Sequence, residues 1–369
     1  MKLTYARPQY AIYIDLVTDI RRLAGDLLTM LMWLGELTAA SFMLSYGAEH
    51  LSKKYGAKFV GRTLLSVATT LPEIAIVIYA AADGLYGTAI GAGLGSNLLM
   101  MTLGLAIMLL IATTRLSKAP MKGVDVSPFK LDKIFLIATA VISAVLFIDG
   151  YNFIDGFIFA GMFGAYLVMA LLEMKSEKAK NEQQQVGHHK VVKISESLPE
   201  NKAPNREMSK AMLAFAIGTA GIFFGAAPFI HSLQGFSVEV GVSVIILAVI
   251  ISPIAGEMPE KISMMLLARK GAAGASIAVA NVLGSKILNN TLLLAVAVFG
   301  AMYHGGFYTN IEVNPILGYQ MILVTAVTLG ALTMMFKKEI GRKVGIILAL
   351  LYIISLVIQF MIPQDLTLH

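Results

Sequence analysis

Two glutamates lie near the middle of long apolar segments, each directly after a proline: Glu73 follows Pro72, and Glu260 follows Pro259. Glu73 lies eleven residues after Arg62, which is roughly 16 Å of helix, or about half the thickness of a bilayer core. A charged side chain at that depth costs at least about 2.5–3.5 kcal/mol, so it usually faces a cavity or a partner. These residues indicate an intramembrane cation site. The alternative for each one is a protonated or hydrogen-bonded structural glutamate.

Backbone oxygens are expected beside both carboxylates. Inside a helix, proline removes one hydrogen bond and displaces the carbonyl four residues earlier. Pro72 therefore frees the carbonyl of Ala68, and Pro259 frees that of Ala255.

Side-chain oxygens join them in the first segment. Thr69 and Thr70 precede Glu73 by four and three residues, so their hydroxyls share its helix face. Asn97 offers an amide oxygen from the following apolar segment. Carboxylate, hydroxyl and carbonyl oxygens together suit a hard cation such as Ca²⁺, which takes six to eight oxygen ligands.

Two further ionisable residues lie in the second pair of apolar segments. Glu257 precedes Glu260 by three residues, which places both carboxylates on one helix face. Lys286 carries an ammonium into the next segment. With Glu73 included, the four groups sum to a charge of −2 if all are ionised, the same as two glutamates alone.

The two halves of the chain repeat this pattern. One copy begins at Ser66 and the other at Pro253, and the Pro-Glu pairs align. After a two-residue shift, residues 94–96 align with residues 283–285, both Leu-Gly-Ser. The recurrence favours a functional site over two isolated structural glutamates.

Composition indicates a membrane protein as the scaffold for these residues. Hydrophobic residues make up 57% and charged residues 14% of 369 residues, whereas soluble domains have about 45–50% and about 25%. A soluble globular enzyme is therefore excluded, and the absence of cysteine from the sequence excludes a disulfide-built module and thiolate metal sites. The apolar runs predict ten transmembrane helices: 27–48, 63–82, 87–113, 134–149, 153–172, 211–231, 240–268, 272–302, 316–336 and 344–362.

The positions of the basic residues predict the topology. Of the 29 Lys and Arg residues, 23 lie in alternate polar breaks. By the positive-inside rule these breaks are cytoplasmic, so both termini are outside. The basic breaks are 49–62, 114–133, 173–210, 269–270 and 337–343. The excess of six positive charges is thus topological and does not indicate a nucleic-acid partner.

Four regions follow from these patterns. Residues 1–26 form an N-terminal segment, either an interfacial helix or an ordered lead-in, and residues 27–172 hold the first five spans. Residues 173–210, polar and mixed in charge, are expected to be a flexible cytoplasmic linker before the second five-helix repeat at 211–369. Because each half has an odd number of spans, the repeats have inverted topology, as in many secondary transporters.

The repeated motifs carry a family resemblance. TTLPE with GLGSN, and GEMPE with VLGSK, resemble the two α-repeats of the sodium/calcium exchanger branch of the calcium/cation antiporter superfamily. The resemblance implies ten helices and a central site from the second, third, seventh and eighth. It makes Glu73 and Glu260 the principal metal ligands, with Thr69, Thr70 and Asn97 as supporting ligands.

The second repeat departs from the family pattern. Gly256 and Glu257 stand where the family usually has Thr-Ser, and Lys286 stands where it usually has Asp or Asn. Our hypothesis is that Lys286 pairs with Glu257, its ammonium taking a position that Na⁺ or a proton holds in relatives. In the alternative, Lys286 extends away from the site and is structural.

The sequence therefore predicts a secondary active antiporter of the plasma membrane, not an enzyme, which exchanges Ca²⁺ for Na⁺ by alternating access. No cofactor is expected, and the partners are inorganic cations and the lipid bilayer, with the protein a monomer. Two alternatives stay open: a proton-coupled Ca²⁺ or divalent-cation antiporter, and a transport-inactive sensor in which Lys286 fills a cation site.

Overall fold

The computed structural model describes residues 9–55, 69–187 and 205–362, which form helices and one short two-stranded sheet. The helices of the first half are α1 Gln9–Tyr55, α2 Leu71–Ala82, α3 Tyr86–Leu99, α4 Leu105–Ala112, α5 Lys130–Leu146 and α6 Phe153–Gly187. Those of the second half are α7 Asn205–Val240, α8 Val244–Gly256, α9 Met258–Ala268, α10 Ala272–Leu288, α11 Leu294–Gly305, α12 Pro315–Met334 and α13 Arg342–Met361.

Most helices of the described part are long enough to cross a membrane. Eight helices, some of them merging two of the elements above, are long and apolar enough to cross a bilayer. Two shorter apolar helices, α2 and α8, occupy the places of the second and seventh predicted spans. Both predicted spans contain the Pro-Glu motif, and a helix break shortens each of them. The chain is thus an all-α membrane protein, and the count of ten spans stays a prediction.

Two helices extend further than the sequence predicted. α1 runs without interruption from Gln9 through the boundary drawn at residue 26, so the segment before that boundary is the start of a long helix. α6 continues to Gly187 inside the predicted linker 173–210, and α7 already begins at Asn205. The extension of α6 is rich in Glu, Lys, Ala and Gln, which favour helix. Only 188–204 of the linker lies outside the described residues.

Two backbone pairings relate the halves. Strand β1, Val124–Asp125, pairs antiparallel with β2, Glu339–Ile340. Tyr151 and Ile311 form a second bridge, with N–H···O distances of 3.0 and 2.7 Å. The β1–β2 pairing joins the break after the third predicted span to the break before the tenth. The Tyr151–Ile311 bridge joins the break after the eighth predicted span to the break before the fifth. Exchanging the halves converts one pairing into the other, as an inverted repeat requires.

The same pairings group the polar breaks by charge. The β1–β2 pairing brings together the basic breaks 114–133 and 337–343. A third basic break, 269–270, joins them, because the Lys118 N–H donates to the Arg269 carbonyl at 2.9 Å. The Tyr151–Ile311 bridge joins two breaks without Lys or Arg. The alternation of charge along the sequence thus corresponds to two groups of connected breaks, one basic and one without Lys or Arg.

The repeat helices form the centre of the molecule. In the most apolar windows of the α3–α4 and α10–α11 spans, 78% and 83% of residues are buried, against 28% for α6 and α13. A glycine face of α3 lies on α8, where a Cβ added at Gly95 would be 2.6 Å from the Val249 Cα. Glycine therefore allows the backbones of α3 and α8 to meet.

Candidate cation-binding site

The site begins at two equivalent helix breaks. Thr70 and Glu257 each form a one-residue break, with φ/ψ of −88°/−4° and −88°/−3°, and a new helix starts at the next residue. The proline is the second residue of that helix, where its missing N–H is not needed, and the repeated glutamate is the third. Glu73 and Glu260 thus lie in the first turn of α2 and α9, where the helix dipole favours a negative charge.

A second symmetric element faces these breaks. α3 and α10 each pass into a five-residue π-helix, a form that often occurs at functional sites; the π-helices are Met100–Gly104 and Asn289–Leu293. Thr102 and Thr291 are aligned in the repeat, and each hydroxyl donates to a carbonyl four residues earlier in the preceding helix. Thr102 Oγ1 donates to the Leu98 carbonyl, and Thr291 Oγ1 donates to the Ile287 carbonyl at 2.7 Å. Asn97 and Lys286 both lie three residues before the π-helix.

Glu73 is a buried carboxylate without a hydrogen-bond partner. Its side chain is 3% exposed, and neither carboxylate oxygen has a partner among the described residues. It lies against the break of the other repeat, where a Cβ added at Gly256 would be 2.7 Å from the Glu73 Cδ. A buried polar group left unpaired is costly. Both carboxyl oxygens of Glu73 are therefore available to a cation or to a proton.

Glu260 is held by α10. Asn281 Nδ2 and Ser285 Oγ each donate to Glu260 Oε1 at 2.9 Å, and the carboxylate is 2% exposed. Asn281 and Ser285 are four residues apart and share one face of the helix. Both bonds end on the same oxygen, so the orientation of the carboxylate is fixed from one side.

Glu257 and Lys286 form a buried ion pair, as the sequence hypothesis proposed. Lys286 is 0% exposed, and its Nζ donates to Glu257 Oε1 and, at 2.6 Å, to Ser96 Oγ. Ser96 also donates to Glu257 Oε1. Asn289 joins them: with the amide orientation that satisfies its neighbours, its oxygen is 3.2 Å from Lys286 Nζ.

The remaining predicted ligands are placed as follows. Thr69 and Thr70 are buried at the break before α2, and Ala255 is buried in the last turn of α8. Asn97 is buried, and its Nδ2 donates to Asn290 Oδ1, which ties α3 to the second π-helix. Ala68 lies outside the described residues.

Sequence reasoning missed three polar residues of this region. Ser96 and Ser285 occupy aligned positions in the repeated Gly-Ser pair, so the repeat itself carried a signal for both. Asn281, one helical turn before Ser285, could have been found by i, i+4 spacing. Asn289, one turn after Lys286, is compatible from the sequence with lining the cavity or with bridging helices, and the structure places it in the π-helix beside Lys286 and Ser96.

The family model for the sodium/calcium exchanger protein matches residues 26–172 and 210–361. The chain belongs to this family. The matched parts contain both helix breaks and both π-helices. The family is one of cation exchangers, so the chain is a multi-pass membrane protein of a transporter family.

Individual relatives agree with this assignment. An uncharacterised membrane protein of Methanocaldococcus jannaschii is 23% identical over 314 residues, which cover 84% of this chain and 90% of that protein. Among solved structures, the H⁺/Ca²⁺ exchanger CAX superposes with a TM-score of 0.74 at 16% identity, covering 95% of this chain and 90% of that chain. The sodium-calcium exchanger NCX_Mj gives 0.56 at 21% identity, covering 91% and 99%. At these identities the two solved structures establish the fold alone.

Proposed function

We propose that this member of the family is a secondary active antiporter that exchanges Ca²⁺ for Na⁺. One observation carries the proposal: Glu73, buried without a partner, lies against the break of the opposite repeat. The inverted breaks thus bring carboxylates of both halves into one buried region. Glu73 and Glu260 are the principal ligands and supply two negative charges for one divalent cation.

The supporting ligands are those that surround the breaks. Thr69 and Thr70 offer hydroxyls, and Ala255 offers its backbone carbonyl, because the last carbonyls of a helix that ends at a break lack intrahelical partners. The carbonyl of Ala68, outside the described residues, is proposed as its counterpart. Asn97 uses its amide nitrogen on Asn290, so the group it offers to a cation is its oxygen. Glu257 keeps Oε2 unpartnered among the described residues and offers that atom. An all-oxygen set of this kind suits Ca²⁺.

In this proposal, alternating access uses the two peripheral helices α1 and α7. They make close backbone contact at Gly47 and Gly218, whereas α2, α3, α8 and α10 form the buried centre. α1 and α7 slide together across that centre and expose the site to one face and then the other. The five-helix repeats at 27–172 and 211–369 are the structural units of this motion, with 173–210 connecting them.

The orientation in the plasma membrane follows the positive-inside rule. The face that holds the basic breaks is cytoplasmic, as is the connection between the halves, and both termini are outside. A monomer is sufficient for the proposed function, because each chain supplies both repeats of its own site.

Proton coupling is a second candidate, and Lys286 favours it. Its ammonium donates hydrogen bonds to oxygens inside the site, which are then not available to other cations. The ammonium also repels monovalent cations, with a Coulomb energy of several kcal/mol at about 4 Å and an effective dielectric constant of about 20. In a proton-coupled antiporter, protons bound to the carboxylates of the site replace Na⁺ as the exchanged ions. The chain also has the fold of the solved H⁺/Ca²⁺ exchanger.

Ion flux in proteoliposomes separates these functions. Vesicles loaded with Na⁺ are diluted into ⁴⁵Ca²⁺ without a pH gradient, and parallel vesicles carry an acidic interior without Na⁺. Uptake driven by Na⁺ supports Na⁺/Ca²⁺ exchange, and uptake driven only by the pH gradient supports the second candidate. Ca²⁺ binding without flux in either condition identifies a sensor and overturns both. Glu73→Gln is the matched inactive control.

A further inference from the structure

We propose that the Lys286 ammonium is a tethered monovalent cation: it permanently fills a cation position that would otherwise take a diffusible ion. This inference deepens the proposed function, because it concerns the same buried site. Its consequence is a defined specificity. The transport cycle of this protein needs no alkali cation at that position, and removing the side chain creates a requirement for one.

The ligands of the ammonium are those of a small cation. Glu257 Oε1 and Ser96 Oγ accept from Lys286 Nζ, and Asn289 Oδ1 lies 3.2 Å away in its satisfied orientation. Carboxylate, hydroxyl and amide oxygens therefore surround Nζ. An ammonium has three N–H donors, and each finds an oxygen here. The side chain is fully buried, so the charge is held inside the site and does not extend to an interface.

Both repeats contribute to this position. Ser96 comes from α3 of the first half, whereas Glu257 and Asn289 come from the second half. A lysine that only stabilised its own repeat would not need the hydroxyl of the other. The ammonium thus lies at the junction of the inverted halves, where transporters of this architecture bind their ions.

The equivalent position of the first repeat is occupied differently. Asn97 aligns with Lys286 but is neutral, and it donates to Asn290 instead of pairing with a carboxylate. Thr70, aligned with Glu257, is neutral as well. The positive charge and its extra carboxylate are therefore both present in the second repeat only.

Charge balance gives the predicted requirement. With Lys286 present, Glu73, Glu257 and Glu260 leave a charge of −2 when all are ionised, which one Ca²⁺ neutralises. Without the ammonium the three carboxylates carry −3, and Ca²⁺ leaves one buried negative charge uncompensated. An uncompensated buried charge is strongly unfavourable. A small cation that enters the vacated oxygens would restore the balance.

The test is Ca²⁺/Ca²⁺ exchange, which needs no co-ion gradient. Wild type and Lys286→Ala are reconstituted with N-methylglucamine, too large for the position, as the monovalent cation on both sides. ⁴⁵Ca²⁺ exchange is then measured with and without equal K⁺ or methylammonium on both sides. Wild-type exchange is expected to be independent of the added cation. The variant is expected to exchange at least tenfold more slowly in N-methylglucamine and to recover when the small cation is added.

A double variant, Glu257→Gln with Lys286→Ala, is the matched control because it removes both charges together. Its exchange rate, whatever its value, is expected to show no dependence on the small cation. Equal rates for wild type and Lys286→Ala in N-methylglucamine overturn the proposal. Absence of Ca²⁺ exchange and Ca²⁺ binding in wild type overturns the proposed function instead, and this result is distinct from the previous one.

Thermal stability in detergent supplies a readout that does not need flux. The Tm of Lys286→Ala, and of Lys286→Gln as a second variant of closer size, is expected to rise with the logarithm of K⁺ or methylammonium concentration, since these ions bind the folded state. Wild type and the double variant are expected to show no such rise. The same Tm response in all four proteins overturns the proposal.

Discussion

The carboxyl group of Glu73, on the first repeat, lies against the backbone of Gly256, in the helix break of the second. A Cβ at Gly256 would be 2.7 Å from the Glu73 Cδ. In the alignment of the repeats Gly256 corresponds to Thr69, so the two breaks are not equivalent in volume. The second break lacks a side chain at the position that the Glu73 carboxyl group occupies.

Gly256→Ala is expected to displace Glu73 and to weaken Ca²⁺ binding by at least about tenfold, which is about 1.4 kcal/mol. The reason is steric: the methyl group cannot coexist with the present position of the carboxylate. Ca²⁺ affinity is measured from the Ca²⁺-dependent rise in Tm of the purified protein. Gly330→Ala is the matched control, since a Cβ there meets nothing within 4 Å. Equal affinities of the two variants would contradict this account.

Glu73→Gln is expected to abolish Ca²⁺ binding without lowering the stability of the ion-free protein. The substitution removes a buried charge that has no partner among the described residues and keeps nearly the same volume. Tm without Ca²⁺ should therefore equal or exceed that of wild type, and the Ca²⁺-dependent rise should disappear. Glu312→Gln, at an exposed position, should retain that rise. A lower ion-free Tm in Glu73→Gln would indicate a structural role for the carboxylate.

The repeated motif allowed much of the site to be predicted from the sequence. Proline before glutamate predicted disturbed backbone hydrogen bonding at both places, because its backbone chemistry acts locally. The spans 63–82 and 240–268 were nevertheless predicted as continuous helices, so the breaks at Thr70 and Glu257 were not foreseen. The Lys286–Glu257 pair was predicted from charge balance between the segments. These features depend on short-range geometry and on the high cost of charge inside a membrane.

Contacts that depend on helix packing could not be predicted in the same way. Ser96 donates to Glu257 of the other repeat, whereas its counterpart Ser285 donates to a glutamate of its own repeat, Glu260. The sequence does not reveal this difference. The choice between these partners is set by how α3 and α10 lie against the breaks. The long extension of α6 was missed for another reason: its polar, charged residues indicate solvent exposure and are equally compatible with a solvated helix.

The hydrogen bonds of Glu260 give a prediction for residues that were not identified from the sequence. Ser285→Ala and Asn281→Ala each remove one donor to Glu260 Oε1. A hydrogen bond to a charged group contributes about 1.5–3 kcal/mol. If that orientation is the one that binds Ca²⁺, each variant should bind it about tenfold to a hundredfold more weakly.

Ser143→Ala controls for the loss of a buried hydroxyl, because Ser143 donates only to the carbonyl of Ala140 in its own helix among the described contacts. Ca²⁺ titration of Tm and of ⁴⁵Ca²⁺ exchange should separate it from the two α10 variants. If Ser285→Ala binds Ca²⁺ as tightly as Ser143→Ala does, the Glu260 carboxylate is positioned by other groups.

The contact between α1 and α7 is also made through glycine. A Cβ at Gly218 of α7 would be 2.6 Å from the Ala40 carbonyl oxygen and 2.8 Å from the Leu44 Cα of α1. At Gly47 of α1 the same addition would be 2.6 Å from the Phe215 backbone nitrogen. The two helices therefore touch backbone to backbone at two levels, as close packing between small residues allows in membranes.

Gly218→Ala should therefore force α1 and α7 apart and destabilise the protein by about 1–3 kcal/mol, the usual cost of overpacking. Because the proposed motion carries the two helices together, their mutual contact is the same in both access states. The variant should consequently lower Tm while leaving the Ca²⁺ affinity of the site unchanged. Gly35→Ala, on α1 with nothing within 4 Å of the added Cβ, should alter neither quantity. A change in Ca²⁺ affinity in Gly218→Ala would instead mean that α1 and α7 move relative to each other during transport.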